Sequence, residues 1–420
     1  MPSRRRNRQY DLVVFGATGY TGKFTTEHIA THLPTDLKWA VAGRSQEKLS
    51  QVVAKCKSLN PDRRQPEIEV CNLDHAELDA LARKTFILIS TVGPFGKHGE
   101  YAFKACAENG THYVDSTGEV PYVAKMIKKY EATAKASGAM MFPQNAVESV
   151  PSDLLTWSLA SAIRSNLNAP VADVTVSLHK LDAAPSGGTV ASAFGLLDHF
   201  TAKEIRASHV PFALSPVPNP NPRHRPRSLL SRLTGLVTVP TLGLQTSSIA
   251  GRTDTAIVER TWGLLQTIPR TKDQFYGPNF SYREYARPRN WFHGILLHYG
   301  LTLLMLIVIT PPLKALARRF FHQPGEGPDA ELAKKDEIEF RGVAEPDVEG
   351  PVRERAFSRC WYQGSMYYLS GLMVAQAAST ILEEDLGLGG GVYTPACLGQ
   401  AYIDRLDAAG FHFETKMVPA

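Results

Sequence analysis

Three glycines spaced three apart, Gly16, Gly19 and Gly22, follow the apolar run Asp11-Leu12-Val13-Val14-Phe15 and open an amphipathic stretch from about Tyr20 to His32. This is the sequence form of a strand, a tight turn and a helix whose N–H groups and positive dipole end face a phosphate. Gly16 serves the turn, Gly19 lets a pyrophosphate lie against bare backbone, and Gly22 lets the helix cross close to the sheet. With Thr18, Tyr20 and Thr21 between them, these residues are the expected dinucleotide cradle. A second strand, Leu37 to Ala42, runs into Gly43-Arg44-Ser45. Sites that take NAD carry an acid about 20 residues beyond the glycines, whereas an arginine there receives a 2′-phosphate. Arg44, with Ser45 as a second donor, therefore predicts NADP(H), because a guanidinium binds phosphate bidentately and stacks on adenine.

Further chemistry is expected at the ends of later strands. The apolar run Phe86 to Val92 reads as a parallel strand covered on both faces and ends in Gly93-Pro94-Phe95-Gly96. Ligands of open α/β sheets lie at that carboxyl edge, so Thr91, Gly93 and Pro94 are expected beside the nicotinamide half of the cofactor. The next strand ends in Asp115-Ser116-Thr117-Gly118-Glu119, which adds Thr117 to the cofactor contacts. His98, Tyr101, Asp115 and Glu119 are the candidate catalytic residues for a hydride transfer that needs a proton donor, and His98 suits that work best near neutral pH. Capping of the next helix is the competing role for Asp115 and Glu119, and core packing for Tyr101. Tyr122 and Lys125 are three apart, not four, so no Tyr-x-x-x-Lys pair points to short-chain alcohol dehydrogenation.

The elements that must hold these residues follow from periodicity. Helical patterns at Gln46 to Ser58, His75 to Arg83, Glu100 to Asn109 and Val120 to Ser137 alternate with strands at Glu67 to Asp74 and Ala139 to Pro143. Asp74 is expected to cap the helix that follows it. Residues 10–145 then form an α/β domain, a Rossmann doubly wound parallel sheet of six strands. Residues 1–9, with Arg4, Arg5, Arg6 and Arg8, read as a basic disordered arm. Residues 146–390 read as a second, α+β domain: a helix at Pro151 to Arg164, a strand at Val171 to His179, a helix at Thr189 to Thr201, a proline-rich loop at Pro211 to Arg227, and strands near Ala256 to Leu264 and Val352 to Gly364. The acid-, Gly- and Pro-rich residues 323–350 read as a solvated linker. Residues 391–420 read as a helix and a strand that return to the first domain.

Between Arg289 and Lys314 no residue carries a formal charge, and residues 291–313 form a hydrophobic helical segment. Its apolar core is shorter than a spanning helix and is interrupted by His298 and Gly300. An interfacial helix is favoured over a single span or a buried helix. The 420-residue chain is 43% apolar, enough for real cores, and four of its +5 charges belong to the arm. No basic stripe interleaved with aromatics exists, so no nucleic acid is expected as a partner. Five scattered cysteines, Cys56, Cys71, Cys106, Cys360 and Cys397, fit reduced thiols on the cytoplasmic side and argue against a zinc site or a disulfide frame.

Taken in order, Gly16 to Gly22, Ala42-Gly43-Arg44-Ser45, Thr91 to Phe95, Ala105 to Glu119, Ser149 to Leu154, Ser186-Gly187-Gly188-Thr189 and Gly390 to Pro395 make a set of motifs covering nearly the whole chain. The set resembles the saccharopine dehydrogenase-like oxidoreductase family, in particular the trans-acting enoyl reductase branch. The resemblance implies an NADP-dependent oxidoreductase acting on a small-molecule or carrier-bound lipid or polyketide substrate, at a membrane or lipid-droplet surface. It leaves saccharopine-type dehydrogenation or imine reduction, and non-enzymatic NADP(H) binding on a lipid surface, as alternatives. Two departures lie near the expected crevice. Ala146-Val147-Glu148-Ser149 stands where that branch has Gly-Phe-Asp-Ser, and His98-Gly99-Glu100 where it has Tyr-Gly-Glu.

Overall fold

The computed structural model describes residues 7–182, 194–220, 228–310, 312–313 and 333–420. The first sheet contains β1 (Tyr10–Phe15), β2 (Trp39–Gly43), β3 (Glu67–Val70), β4 (Thr85–Ser90), β5 (His112–Asp115) and β6 (Met140–Phe142), joined by α1 (Tyr20–His32), α2 (Gln46–Leu59), α3 (His75–Arg83), α4 (Phe95–Asn109) and α5 (Val120–Ser137). Its strands are parallel in the spatial order β3-β2-β1-β4-β5-β6. The order reverses between β1 and β4, and at that switch point a crevice opens outside the carboxyl ends. Ile87, Leu88 and Ile89 of β4 are fully buried, as a strand covered on both faces requires. Each such side chain contributes about 1.5–3 kcal/mol. Asp74 caps α3, accepting the N–H groups of Ala76 at 2.8 Å and Glu77 at 3.1 Å.

The rest of the chain forms α6 (Val150–Leu167), β7 (Val171–Asp182), α7 (Ala202–Ser208), α8 (Leu229–Thr234), β8 (Val237–Val239), β9 (Gly243–Ser247), α9 (Gly251–Thr267), β10 (Ser281–Ala286), α10 (Trp291–Ile309), β11 (Glu337–Pro346), β12 (Glu354–Gln363), α11 (Met366–Glu383), β13 (Gly391–Val392), α12 (Gly399–Ala408) and β14 (His412–Pro419). The second sheet has the order β14-β12-β11-β7-β10-β9-β8. It is antiparallel except for the pair β7 and β10.

Several expectations are corrected. Ala256 to Leu264 is not a strand but the middle of α9, since its β-branched residues lie on a helix buried along most of its length. The expected linker 323–350 contains β11, paired on both sides by β7 and β12. Its acids had suggested solvent, but Glu337 pairs with Lys180 at 2.6 Å, Glu339 with Arg341 at 2.8 Å and Glu345 with Arg355 at 3.3 Å.

Residues 366–383, assigned to the second domain, pack on the first. On α11, a Cβ at Gly371 would stand 2.7 Å from Thr25 N of α1. In the same seam His28 is held neutral by burial, its pKa pushed down to about 3, with Gln376 Nε2 at 3.0 Å. The C-terminal segment divides between the sheets: β13 extends the first beside β6, while β14 pairs with β12 in the second. Arg8 is not part of a free arm, because its guanidinium donates to Ala82 O at 3.1 Å and Asn109 O at 2.7 Å. Arg4, Arg5 and Arg6, the motif Ser186 to Thr189, residues 189–193 of the expected helix, residues 221–227 of the proline-rich loop and residues 323–332 lie outside the described residues.

Asp153 in the first turn of α6 ties the domains together. One carboxyl oxygen accepts the Thr261 hydroxyl at 2.6 Å and the other the Ala396 N–H at 2.8 Å, so the motifs Ser149 to Leu154 and Gly390 to Pro395 meet at this side chain. Burial raises its pKa from 3.8 to about 7, against the lowering effect of those hydrogen bonds. The folded chain therefore keeps a proton that the unfolded chain has released, and stability from this group is full below 3.8 and lost as pH rises through about 7. Asp153→Asn is expected to cost about 1–3 kcal/mol, because an N–H would face the Ala396 N–H. It is also expected to flatten the fall of the thermal midpoint from about pH 4 to about pH 8, read by circular dichroism against the parent chain.

Candidate functional site

The cradle at the end of β1 tolerates no side chain at two of its glycines. Gly16 has φ +91°, and a Cβ there would stand 2.7 Å from Val92 Cγ2. On Gly22 a Cβ would come within 2.2 Å of the Gly16 carbonyl oxygen. Thr91 braces the turn, its hydroxyl donating to Gly16 O at 3.1 Å and Phe15 O at 3.3 Å. Gly19 stands at the N-cap of α1, where no side chain makes a capping hydrogen bond and the first turn holds no acid. Thr21 O accepts the Thr25 hydroxyl at 3.0 Å, and the Tyr20 ring stands edge-on to Tyr367 of α11 at 5.1 Å. Thr18 borders the end of β2, 4.0 Å from where a Cβ on Gly43 would stand. Such a bare helix N-terminus is an anion site, and these residues fit a pyrophosphate.

Arg44 follows β2 directly and is exposed, with no ion-pair partner among the described residues. Ser45 is the N-cap of α2, accepting the Lys48 N–H at 3.3 Å, which leaves its hydroxyl hydrogen for a ligand. His98 on α4 is half-buried, and its pKa is lowered by burial first, then by Lys97, Arg44 and His199. The lowered pKa favours the neutral imidazole.

The other candidates also separate. Tyr101 leans on His75 with ring centroids 4.6 Å apart and planes tilted by 33°, in an open groove between α3 and α4, so it is not grouped with Asp115 and Glu119. Glu119 caps α4 from the strand-end loop, accepting the N–H groups of Phe95 at 2.9 Å and Gly96 at 2.8 Å. That capping fixes the Gly93-Pro94 loop. Asp115 is fully buried and accepts from Tyr113 at 2.8 Å, Thr117 N at 3.0 Å and Gln144 N at 2.9 Å. Burial raises its pKa to about 6 against those hydrogen bonds. Thr117 is buried as well, its hydroxyl accepting the Glu119 N–H at 3.1 Å. Asp115, Thr117 and Glu119 thus shape the crevice wall.

Two features escaped the sequence reading. Glu148, between β6 and α6, is solvent-reached yet lies over Gly118, where a Cβ would come within 1.6 Å of its Oε2. The crevice walls that crowd it, and then the charge of Glu119, raise its pKa. Its place in the departing motif Ala146 to Ser149 was the available signal. Behind it, Asp254 of α9 and Glu284 of β10 are buried carboxyls bridged by the Ser152 hydroxyl, at 3.1 Å and 2.9 Å. Burial and the neighbouring Glu284 push the Asp254 pKa well up. Its members come from segments far apart in sequence, and no local spacing announces them.

Residues 12–142 match the family described as Saccharopine dehydrogenase NADP binding domain. The chain is 28% identical over 440 residues to a saccharopine dehydrogenase-like oxidoreductase of Bos taurus, covering 97% of both chains. It is 27% identical to a trans-acting enoyl reductase of Mycobacterium leprae, over 96% of this chain and 97% of that one. Saccharopine dehydrogenase (L-Glu forming) from Saccharomyces cerevisiae shares the fold, with a TM-score of 0.56 at 12% identity over 97% of this chain and 100% of that one.

Charge-assisted hydrogen bonds are worth about 1.5–3 kcal/mol, so Arg44→Ala is expected to weaken NADPH binding about ten- to hundredfold and to leave NADH binding nearly unchanged. Fluorescence titration with both nucleotides checks this; equal loss for both would remove Arg44 from the 2′-phosphate site. A glycine cradle that a Cβ would fill, a matched NADP-binding domain and relatives aligned nearly end to end mark this chain as an NADP-binding oxidoreductase similar to the saccharopine dehydrogenase-like oxidoreductases.

Proposed function

We propose that the enzyme reduces an activated carbon–carbon double bond in a lipid-like or polyketide substrate, free or carrier-bound, and that it works at a lipid surface. The observation that carries this reading is the chemistry of the domain seam, where Glu148, Asp254 and Glu284 gather carboxyl groups. A saccharopine-type substrate bears several carboxylates and calls for converging Arg and Lys side chains. Carboxyl groups, protonated or not, offer those carboxylates no cationic partner, whereas an enoyl ester, thioester or ketone is neutral at its reacting end. The name of the M. leprae relative supports the same reaction class. The exposed apolar helix α10 supports a greasy substrate and a lipid surface.

When bound, NADPH supplies hydride. The chain must hold the acceptor in the crevice, keep water out and deliver a proton to the substrate. Glu148 is the residue we assign to the proton, because it is open to the crevice and its carboxyl is biased toward the protonated form by the surrounding walls and by Glu119. Asp254 and Glu284, bridged through Ser152, are buried carboxyls behind it.

Consumption of NADPH with an enoyl thioester or an unsaturated ketone, set against reduction of NADP+ by saccharopine, tests the reaction class. Turnover of the enoyl or enone substrate is expected, and turnover of saccharopine alone would overturn the proposal. Glu148→Gln is expected to lower kcat by about 10²–10⁴, the usual worth of a positioned acid, while the NADPH titration stays unchanged.

A further inference from the structure

The helix α10 is not simply apolar; it is rooted at one end and bare at the other. Over its first nine residues it is held by polar contacts to neighbouring elements. Thr246 Oγ1 of β9 donates to Gly294 O at 2.8 Å, Ser247 Oγ lies 2.8 Å from His298 Nδ1, and Tyr299 OH donates to Leu233 O of α8 at 2.8 Å. Gly294 is the one buried residue of the helix, and a Cβ there would stand 2.6 Å from Leu236 Cδ2. From Gly300 to Ile309 every residue is half-buried or exposed, and Gly300 has nothing within 4 Å of where a Cβ would stand.

At 1.5 Å per residue the free part is about 15 Å long. The hydrocarbon core of a bilayer is about 30 Å thick. The rooted half cannot enter that core without carrying the polar edge of the second sheet along, which lipid does not solvate. The short helix α8 lies beside the root and shows Leu229, Leu230 and Leu233 at 73%, 70% and 57% exposure. These leucines form an apolar shelf of the sort that rests at headgroup depth.

Charge says which surface. About one residue in ten of the chain is an acid, 41 of 420, yet none occurs between Glu204 and Asp254 or between Glu284 and Glu326. Those two stretches, which contain α8 and α10, hold eleven Lys and Arg residues. Arg232, Arg287 and Arg289 among them are exposed, next to the apolar shelf and the root of α10. Each basic side chain near an anionic membrane contributes about 1 kcal/mol.

We propose that α8 and α10 form a single-leaflet anchor that seats the enzyme on an anionic phospholipid bilayer, with the free half of α10 entering one leaflet and not crossing to the other. The inference rests on the lipid-surface part of the proposed function and is independent of the reaction assigned to the crevice. Its test measures no turnover, so the two can fail separately.

The test is flotation of the full chain with vesicles of phosphatidylcholine, alone or mixed with phosphatidylserine, at low and high salt. Flotation with the mixed vesicles that falls at high salt is expected, because surface charge attraction is screened. Absence of flotation, or equal flotation on phosphatidylcholine alone, overturns the proposal. The double variant L303E/L306E is expected to stay in the bottom fraction while keeping its NADPH affinity. Should that variant lose NADPH binding through misfolding, R232E/R289E carries the same question, with binding to mixed vesicles expected to weaken at least about tenfold. Unchanged flotation of a variant that still binds NADPH overturns the assignment.

Depth is read separately. The native cysteines are all buried, so L313C supplies a reactive thiol. A membrane-impermeant maleimide trapped inside the vesicles is expected to leave it unlabelled, and labelling from the lumen would show a crossing helix and overturn the single-leaflet anchor.

Discussion

A backbone-to-backbone contact at the mouth of β1 sets the rest of the first domain. Because Gly22 has no Cβ, α1 crosses with its backbone against the Gly16 carbonyl, at a separation that a Cβ would cut to 2.2 Å. That approach aims the N-terminus of α1 at the crevice and leaves it uncapped, as an anion requires. It also sets the outer face of α1 for a second close contact, with Gly371 of α11 against Thr25. The phosphate cradle is therefore clamped from both sides by residues more than three hundred positions apart in the chain.

Around this cradle the carboxyl groups divide into those that shape and those that face a ligand. Asp115, Glu119 and Asp153 have their oxygens filled by backbone N–H and hydroxyl donors, and these contacts hold the strand-end loop, the start of α4 and the junction between the domains. Glu148 alone among the acids of this region opens to the crevice, with its pKa raised by its surroundings. The contrast is one of donor supply: backbone N–H and hydroxyl donors fill the oxygens of Asp115, Glu119 and Asp153, whereas no donor reaches Glu148 among the described residues.

The second domain adds a different constraint. Its sheet offers β9 as a polar ledge on which α10 is rooted, and the same segment continues through Ser248, which donates to Glu284 at 2.7 Å, into α9 and Asp254. The apolar helix and the buried carboxyl pair are thus neighbours along one short stretch of backbone.

Local spacing and chemistry determined the parallel nucleotide sheet, the glycine cradle, the NADP(H) cofactor and the apolar character of residues 291–313. Each of these depends on residues within one strand–turn–helix unit, or on one uninterrupted run, so a linear reading reaches them. Tertiary structure decided what depends on distant partners. It turned Ala256 to Leu264 into a helix, made a central strand of the acid-rich 337–346, took α11 and β13 into the first domain and sent β14 to the second sheet. It set Tyr101 against His75, spent Asp115 and Glu119 on backbone donors, and brought Glu148 over Gly118. The reason is common to all of these: the role of an ionisable or apolar side chain is set by the groups that desolvate and pair it, and here those groups arrive from parts of the chain that no local pattern connects.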